Sequence, residues 1–250
     1  MNAVGLLARK EAGELLLSSR GLGWLLAVSV VLSGFGLLLI GSQELSLLDN
    51  AQVVYDMLGI VTGLGALLAV AAGADAIAGE RERGSLLPLL LAPIPRGGLL
   101  LGKIAGQAAA WAVMLVLAMP YLWAVGSTGQ NMIGGGIALV LLGTPVALGF
   151  GFLALGLGAR LGSSRGTLMP CLILLLLSAS PLLLGPSLRQ SAIGVAFDTG
   201  NPFSAALNAY DAVVIDGQGA ASQVWHGLVA LIWLAGTAAF AGVGIHRLRH

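Results

Sequence analysis

Six long apolar runs, parted by short polar breaks, set the pattern of this chain. They cover about residues 22–41, 53–78, 104–126, 133–159, 168–185 and 224–245. Each comes near the roughly 20 residues that a helix needs to cross about 30 Å of hydrocarbon. The runs are continuous, whereas barrel strands alternate apolar and polar over about 10 residues. The pattern predicts an all-α membrane protein with six transmembrane helices. Pro120 is expected to break the third run; Pro145, Pro170 and Pro181 fall in the fourth and fifth. In membranes such prolines are tolerated because neighbours re-satisfy the freed carbonyls.

Two stretches fit no span. Residues 1–21 mix Arg9, Lys10, Glu11, Glu14 and Arg20 with Val4, Leu7, Leu15 and Leu16. The charged part is too long and too acidic for a secretory signal, so it reads as an amphipathic helix along the membrane surface. Residues 22–250 then form the transmembrane domain. Within it, residues 186–223 are too long and apolar for a bare loop. Asn201-Pro202-Phe203 reads there as a helix start, with Asn as N-cap and Pro in the first turn. Phe203, Ala206, Leu207, Tyr210, Val213 and Val214 share a face, and Asp216-Gly217 is a stop. An outer-leaflet or re-entrant helix at about 202–215 is expected.

Composition agrees with the pattern. The chain is 57% hydrophobic and 9% charged, against about 25% charged in soluble domains, and its mean hydropathy is +0.95. Its 38 glycines imply close helix packing, since small residues let membrane helices approach. A net charge of +1 gives no reason to expect nucleic acid, and the lone Cys171 allows no intrachain disulfide. Charge also sets sidedness. With the N-terminus inside, the six-span plan puts Arg9, Lys10, Arg20, Arg81, Arg83, Arg96, Lys103, Arg160, Arg165, Arg247 and Arg249 in the cytoplasm. Of the 12 basic residues, only Arg189 falls outside, as the positive-inside rule prefers. Both termini are expected in the cytoplasm.

The densest charge lies in the segment 79–103. Glu80, Arg81, Glu82, Arg83, Gly84 and Ser85 precede Leu86, Leu87, Pro88, Leu89, Leu90 and Leu91. Ser85 can cap a short helix whose first turn tolerates Pro88. Pro93 and Pro95 would end it, Arg96-Gly97-Gly98 would form a turn, and residues 99–103 would re-enter the membrane. An ordinary charged loop anchored at the headgroups is the plainer reading of the same composition.

Polar groups inside the spans are the other candidates, because an ionised group at mid-bilayer costs about 2.5–3.5 kcal/mol. Asp56 and Asp75 sit near opposite ends of the second run, close enough to water to be merely hydrated. Gln107, early in the third, suits a packing hydrogen bond better than a substrate contact. Met114 and Met119 are gap-fillers by type. His226, His246 and His250 lie near opposite faces and cannot share a metal. A serine protease would need Ser and His at one depth, and a metalloprotease His-Glu-x-x-His; neither pattern is present. Gly134-Gly135-Gly136 lacks the Gly-Lys-Ser/Thr of a phosphate loop.

The order Glu-Arg-Glu-Arg-Gly-Ser, then Leu-Leu-Leu-Ala-Pro-Ile-Pro-Arg, then Leu-Leu-Leu-Gly-Lys resembles a signature of the ABC-2 type exporter permeases. The six-span layout, the N-terminal surface helix and the Asn201-Pro202-Phe203 helix are similar as well, so the resemblance spans nearly the whole chain. Its short length without a large outer domain looks like the permeases of nitrous-oxide-reductase maturation. Pro88 departs from the pattern, where relatives often carry an acid. The resemblance implies a permease subunit of the cytoplasmic membrane that exports its cargo. The helix at 84–92 would be a coupling helix docking on a separate ATP-binding subunit. Glu80, Arg81, Glu82, Arg83, Gly84, Ser85, Leu86, Leu87, Leu90 and Arg96 would form that contact. Two ATPase subunits, a second permease copy (identical or related) and an outer-side accessory protein are the implied partners. ATP and Mg would sit on the ATPase, with no cofactor on this chain. The alternative is a proton- or ion-coupled carrier in which Asp56, Asp75 and Gln107 line the path; it would show interrupted helices in matching halves, and no such repeat is evident.

Overall fold

The computed structural model describes residues 3–41, 50–91, 94–126, 131–180 and 191–248. Pro93, Pro181, Arg189 and Arg249 lie outside the described residues. Every regular element among those described is helical. Helix α1 is Ala3–Leu17 and α2 is Ser19–Gly41. Helix α3, Asn50–Ala74, widens into a π turn at Asp75–Gly79 and runs on as α4, Glu80–Glu82. Helix α5 is Leu86–Leu91, and α6 is Arg96–Gly126. Helix α7, Met132–Ala138, passes through a second π turn, Leu139–Gly143, into α8, Thr144–Leu161. Helix α9 is Ser164–Ala179, α10 is Ala192–Gly200, α11 is Pro202–Val214 and α12 is Val224–His246.

Five helical stretches among the described residues are long and apolar enough to cross a membrane: Ser19–Leu38, Ala51–Glu82, Arg96–Ala124, Met132–Leu161 and Ala221–His246. Ser164–Ala179 is a shorter apolar helix. It begins before the expected fifth run because Ser163 caps it, accepting a hydrogen bond from the Gly166 amide at 3.1 Å; residues 181–190 are not described.

Two expectations fail on the third run. Pro120 does not break it, for α6 is one helix of 31 residues with Pro120 inside. Arg96-Gly97-Gly98 is no turn either, but the first turn of α6. Pro95 stands just before it, and its carbonyl accepts from the Leu99 amide. A π turn precedes Pro145. Its wider turn ends one residue before the proline, where an α turn would press the ring on the carbonyl four residues back.

Helix α3 is the axis of the bundle and packs against α6, α8, α9 and α11. Glycine lets its neighbours close in. Gly65 has no room for a Cβ beside the Trp111 ring, whose indole donates to the Thr144 hydroxyl at 2.9 Å. That side chain alone ties α6 to α3 and α8. Gly149 likewise receives Trp233 of α12, which lies 5.0 Å from the Phe150 ring. Helix α11 starts as its sequence dictates: the Asn201 carboxamide oxygen accepts from the Phe203 amide at 3.0 Å, and Pro202 fills the first turn. Phe203, Ala206, Leu207, Tyr210, Val213 and Val214 are all buried. Ser204, Ala205 and Ala209 are buried too, so α11 sits inside the bundle, as a re-entrant helix does, and not on its surface.

Candidate docking site at the charged end of the bundle

One end of the bundle gathers the inner ends of α3, α8 and α12, the starts of α6 and α9, and all of α1 and α5. The turn at its centre is built from backbone. Gly84 takes φ +72°, a conformation that glycine adopts without penalty. Its amide donates to the Arg81 carbonyl at 3.1 Å, and the Ser85 amide donates to the Glu80 carbonyl at 2.9 Å. These are the paired bonds of a Schellman closure. The Ser85 hydroxyl adds a third bond to the Glu80 carbonyl at 3.2 Å. The chain is thus stopped sharply and launched into α5.

Helix α5 lies across the end of the bundle with two unlike faces. Leu86 is buried in an apolar cluster with Leu7, Ile77, Leu99 and Ile104, and Leu89 and Leu90 pack against that cluster. Leu87 and Leu91 are 54% and 69% exposed. Around them Arg81, Glu82 and Arg83 are exposed. Two of the three are positioned by this chain. Arg83 grips Asp75 through both carboxylate oxygens, at 2.9 and 3.1 Å, and that bond raises the Arg83 pKa. Glu82 accepts from the Ser164 amide at 3.1 Å, at the start of α9. Arg96 donates to the His246 carbonyl at the end of α12. Arg160, at the end of α8, donates to the Gly156 and Phe240 carbonyls and lies 3.8 Å over the Phe240 ring.

Behind α5 lies a buried ion cluster. Lys103 of α6 is wholly buried, with Nζ 3.0 Å from Glu11 of α1 and 2.9 Å from Glu80. The bond to Glu11 is an aligned hydrogen bond, whereas the Glu80 contact is purely ionic. Lys10 stands 3.8 Å from Glu80 at the solvent side. Burial raises the Glu11 pKa above its ordinary value, against the pull of Lys103. Gly102 and Gly106 make the cluster possible: they are one turn apart on α6, and α1 lies directly on them at Leu7 and Glu11.

The expected docking residues therefore divide. Leu87 faces out, Leu90 is half-buried, Arg81 is exposed and Arg96 is held at α12. Glu80 and Leu86 do not belong to an outer rim, because both turn into the protein. Glu11 and the role of Lys103 were not foreseen. The one local signal for them is the Gly-x-x-x-Gly spacing at Gly102 and Gly106, a pattern that admits a second helix.

The remaining candidates lie apart. Asp56 accepts from Gln52 at 3.2 Å on its own helix. Asp75 is committed to Arg83 at the charged end. Gln107 is buried between Gly73 and Gly151, and neither atom of its amide has a hydrogen-bond partner among the described residues, contrary to the packing bond expected of it. Asn201 donates to the Ser178 carbonyl at 2.6 Å, and the Tyr210 hydroxyl meets that of Thr62 at 3.0 Å. These outer residues position α11 against α9 and α3.

Residues 6–249 match the family described as ABC-2 family transporter protein. Two relatives share a printed name, "Probable ABC transporter permease protein NosY". The chain is 33% identical to that of Stutzerimonas stutzeri over 164 residues, 62% of this chain and 52% of the relative. It is 36% identical to that of Pseudomonas aeruginosa over 135 residues, 51% of this chain and 44% of the relative. The chain spans about half the length of the curated relatives it matches.

Proposed function

Since the chain belongs to the ABC-2 family of transporter proteins, we propose that it is a permease subunit whose α5 docks on a separate ATP-binding subunit. The observation that carries this is the outer face of α5. Two bare leucines sit on a six-residue helix, beside the charged Arg81, Glu82 and Arg83, at the charged end of an apolar bundle. A leucine pair within a charged rim suits a protein cleft: the apolar centre supplies contact and the rim fixes register. The Schellman turn and the pairs Arg83–Asp75 and Glu82–Ser164 hold α5 rigidly on α3 and α9. A push on α5 would then move the central helix of the bundle.

The working unit would be two such permeases, identical or closely related, with two ATPase subunits in the cytoplasmic membrane, moving cargo outward. ATP and Mg would be held by the partner, since no phosphate loop occurs in this sequence. An outer-side accessory protein would meet the face near α10 and α11. A proton-coupled carrier using Asp56 and Asp75 is the weaker reading: 19 residues separate them (75 − 56) along one helix, about 28 Å at 1.5 Å per residue. The test is co-purification with the ATPase subunit. Leu87→Glu with Leu91→Glu should abolish capture and ATPase stimulation while leaving the unfolding midpoint unchanged. Full capture by that double variant would overturn the docking role.

A further inference from the structure

Helix α1 turns Leu7 and Glu11 onto α6, and the helical period then fixes what its other face carries. Leu6, Arg9, Lys10, Glu14 and Leu17 line a shallow concavity of about 620 Å3 that ends at Ser18. Leu6 is 53% and Leu17 79% exposed, so both ends of this face are bare leucine while its middle is charged. Lys10 is half exposed and shared between Glu14 at 3.4 Å and Glu80 at 3.8 Å. Arg9 joins no ion pair among the described residues. Arg20, exposed, follows two residues beyond Ser18.

A helix at the end of a membrane bundle, with leucines and arginine on one outward face, meets acyl chains with the former and phosphates with the latter. A soluble protein would leave Leu6 and Leu17 either uncovered or stripped of lipid. We propose that this face binds an anionic phospholipid, its phosphate between Arg9 and Lys10 and its chains against Leu6 and Leu17. The site rests on the reading of this end as cytoplasmic, the side whose leaflet carries anionic lipid. It also has an internal consequence. Lys10 stands between the lipid phosphate and Glu80, so headgroup binding draws on the cation beside the carboxylate that anchors the docking turn.

The experiment is native mass spectrometry of the full chain reconstituted in phosphatidylcholine vesicles with a minor share of phosphatidylglycerol, scoring phosphatidylglycerol retained after extraction. Retention should fall about five-fold for each charge removed, the equivalent of about 1 kcal/mol per basic residue at an anionic surface, in Arg9→Gln with Lys10→Gln. Arg9→Lys, which keeps the charge, should keep the lipid and so separates charge from any loss of folding. Arg247→Gln, exposed at the end of α12, should retain it as well. Undiminished retention in the double variant overturns the site. Equal loss from Arg247→Gln also overturns it, because attraction then belongs to the basic surface at large. Displacement by inorganic phosphate would replace the lipid with a soluble anion. No ATPase subunit enters this readout, so the docking role and the lipid site fail separately.

Discussion

Lys103 is the residue on which the charged end depends. A buried lysine is tolerated only because Glu11 and Glu80 neutralise it, and each of those depends on it in return. Removing one partner from such a cluster leaves an uncompensated charge, typically at a cost of about 3–5 kcal/mol, while replacing all of the charges with neutral groups is often harmless. Lys103→Met should therefore lower the thermal unfolding midpoint sharply. Adding Glu11→Gln and Glu80→Gln to it should restore most of the loss. A single variant as stable as the parent would mean that the two carboxylates find other partners. The cluster was hidden in the sequence for a physical reason. Lys103 and Glu11 are 92 positions apart, and no local period encodes a pairing at that range. Asn201 was legible for the opposite reason: an N-cap acts on the amide two residues away.

Among the elements, α1 was expected to float on the membrane and instead docks along α6. The amphipathic pattern of α1 shows only that it has an apolar face. Whether that face meets lipid or protein is decided by the surface opposite, here the gap left by Gly102 and Gly106. The two glycines are not equivalent. A Cβ at Gly102 would meet the flexible end of Leu7, whereas one at Gly106 would meet the Glu11 Cβ and the Ala12 backbone. Gly106→Ala should thus cost about 1–3 kcal/mol, in the range of an overpacked site, and Gly102→Ala less. Comparing the two midpoints checks this, and a reversed order would show that α1 shifts along α6. The spans themselves were legible because hydrophobic length is a local property. The π turns and the unbroken course of α6 past Pro120 were not, since both depend on how neighbouring helices hold the backbone.

For the whole molecule, the described basic side chains that take part in pairs gather at one end, as the positive-inside count predicts. Sidedness can be measured directly. In a Cys171→Ala background, Ser85→Cys should react with an impermeant thiol reagent only from the cytoplasmic face, and Gln218→Cys only from the outer face. Labelling of both from one side would refute the layout. The π turn at Asp75–Gly79 bears on this design in another way. A π turn is an α-helix with one residue too many, and it acts as a phase setter for all that follows. Each residue turns an α-helix by about 100° (3.6 residues per turn). Deleting Ala76 would close the wide turn and swing Glu80 away from Lys103 by roughly that angle. The orientation of the docking helix relative to the membrane bundle is thus written in a single surplus residue, and lineages that lost it would have to present a different face to their motor.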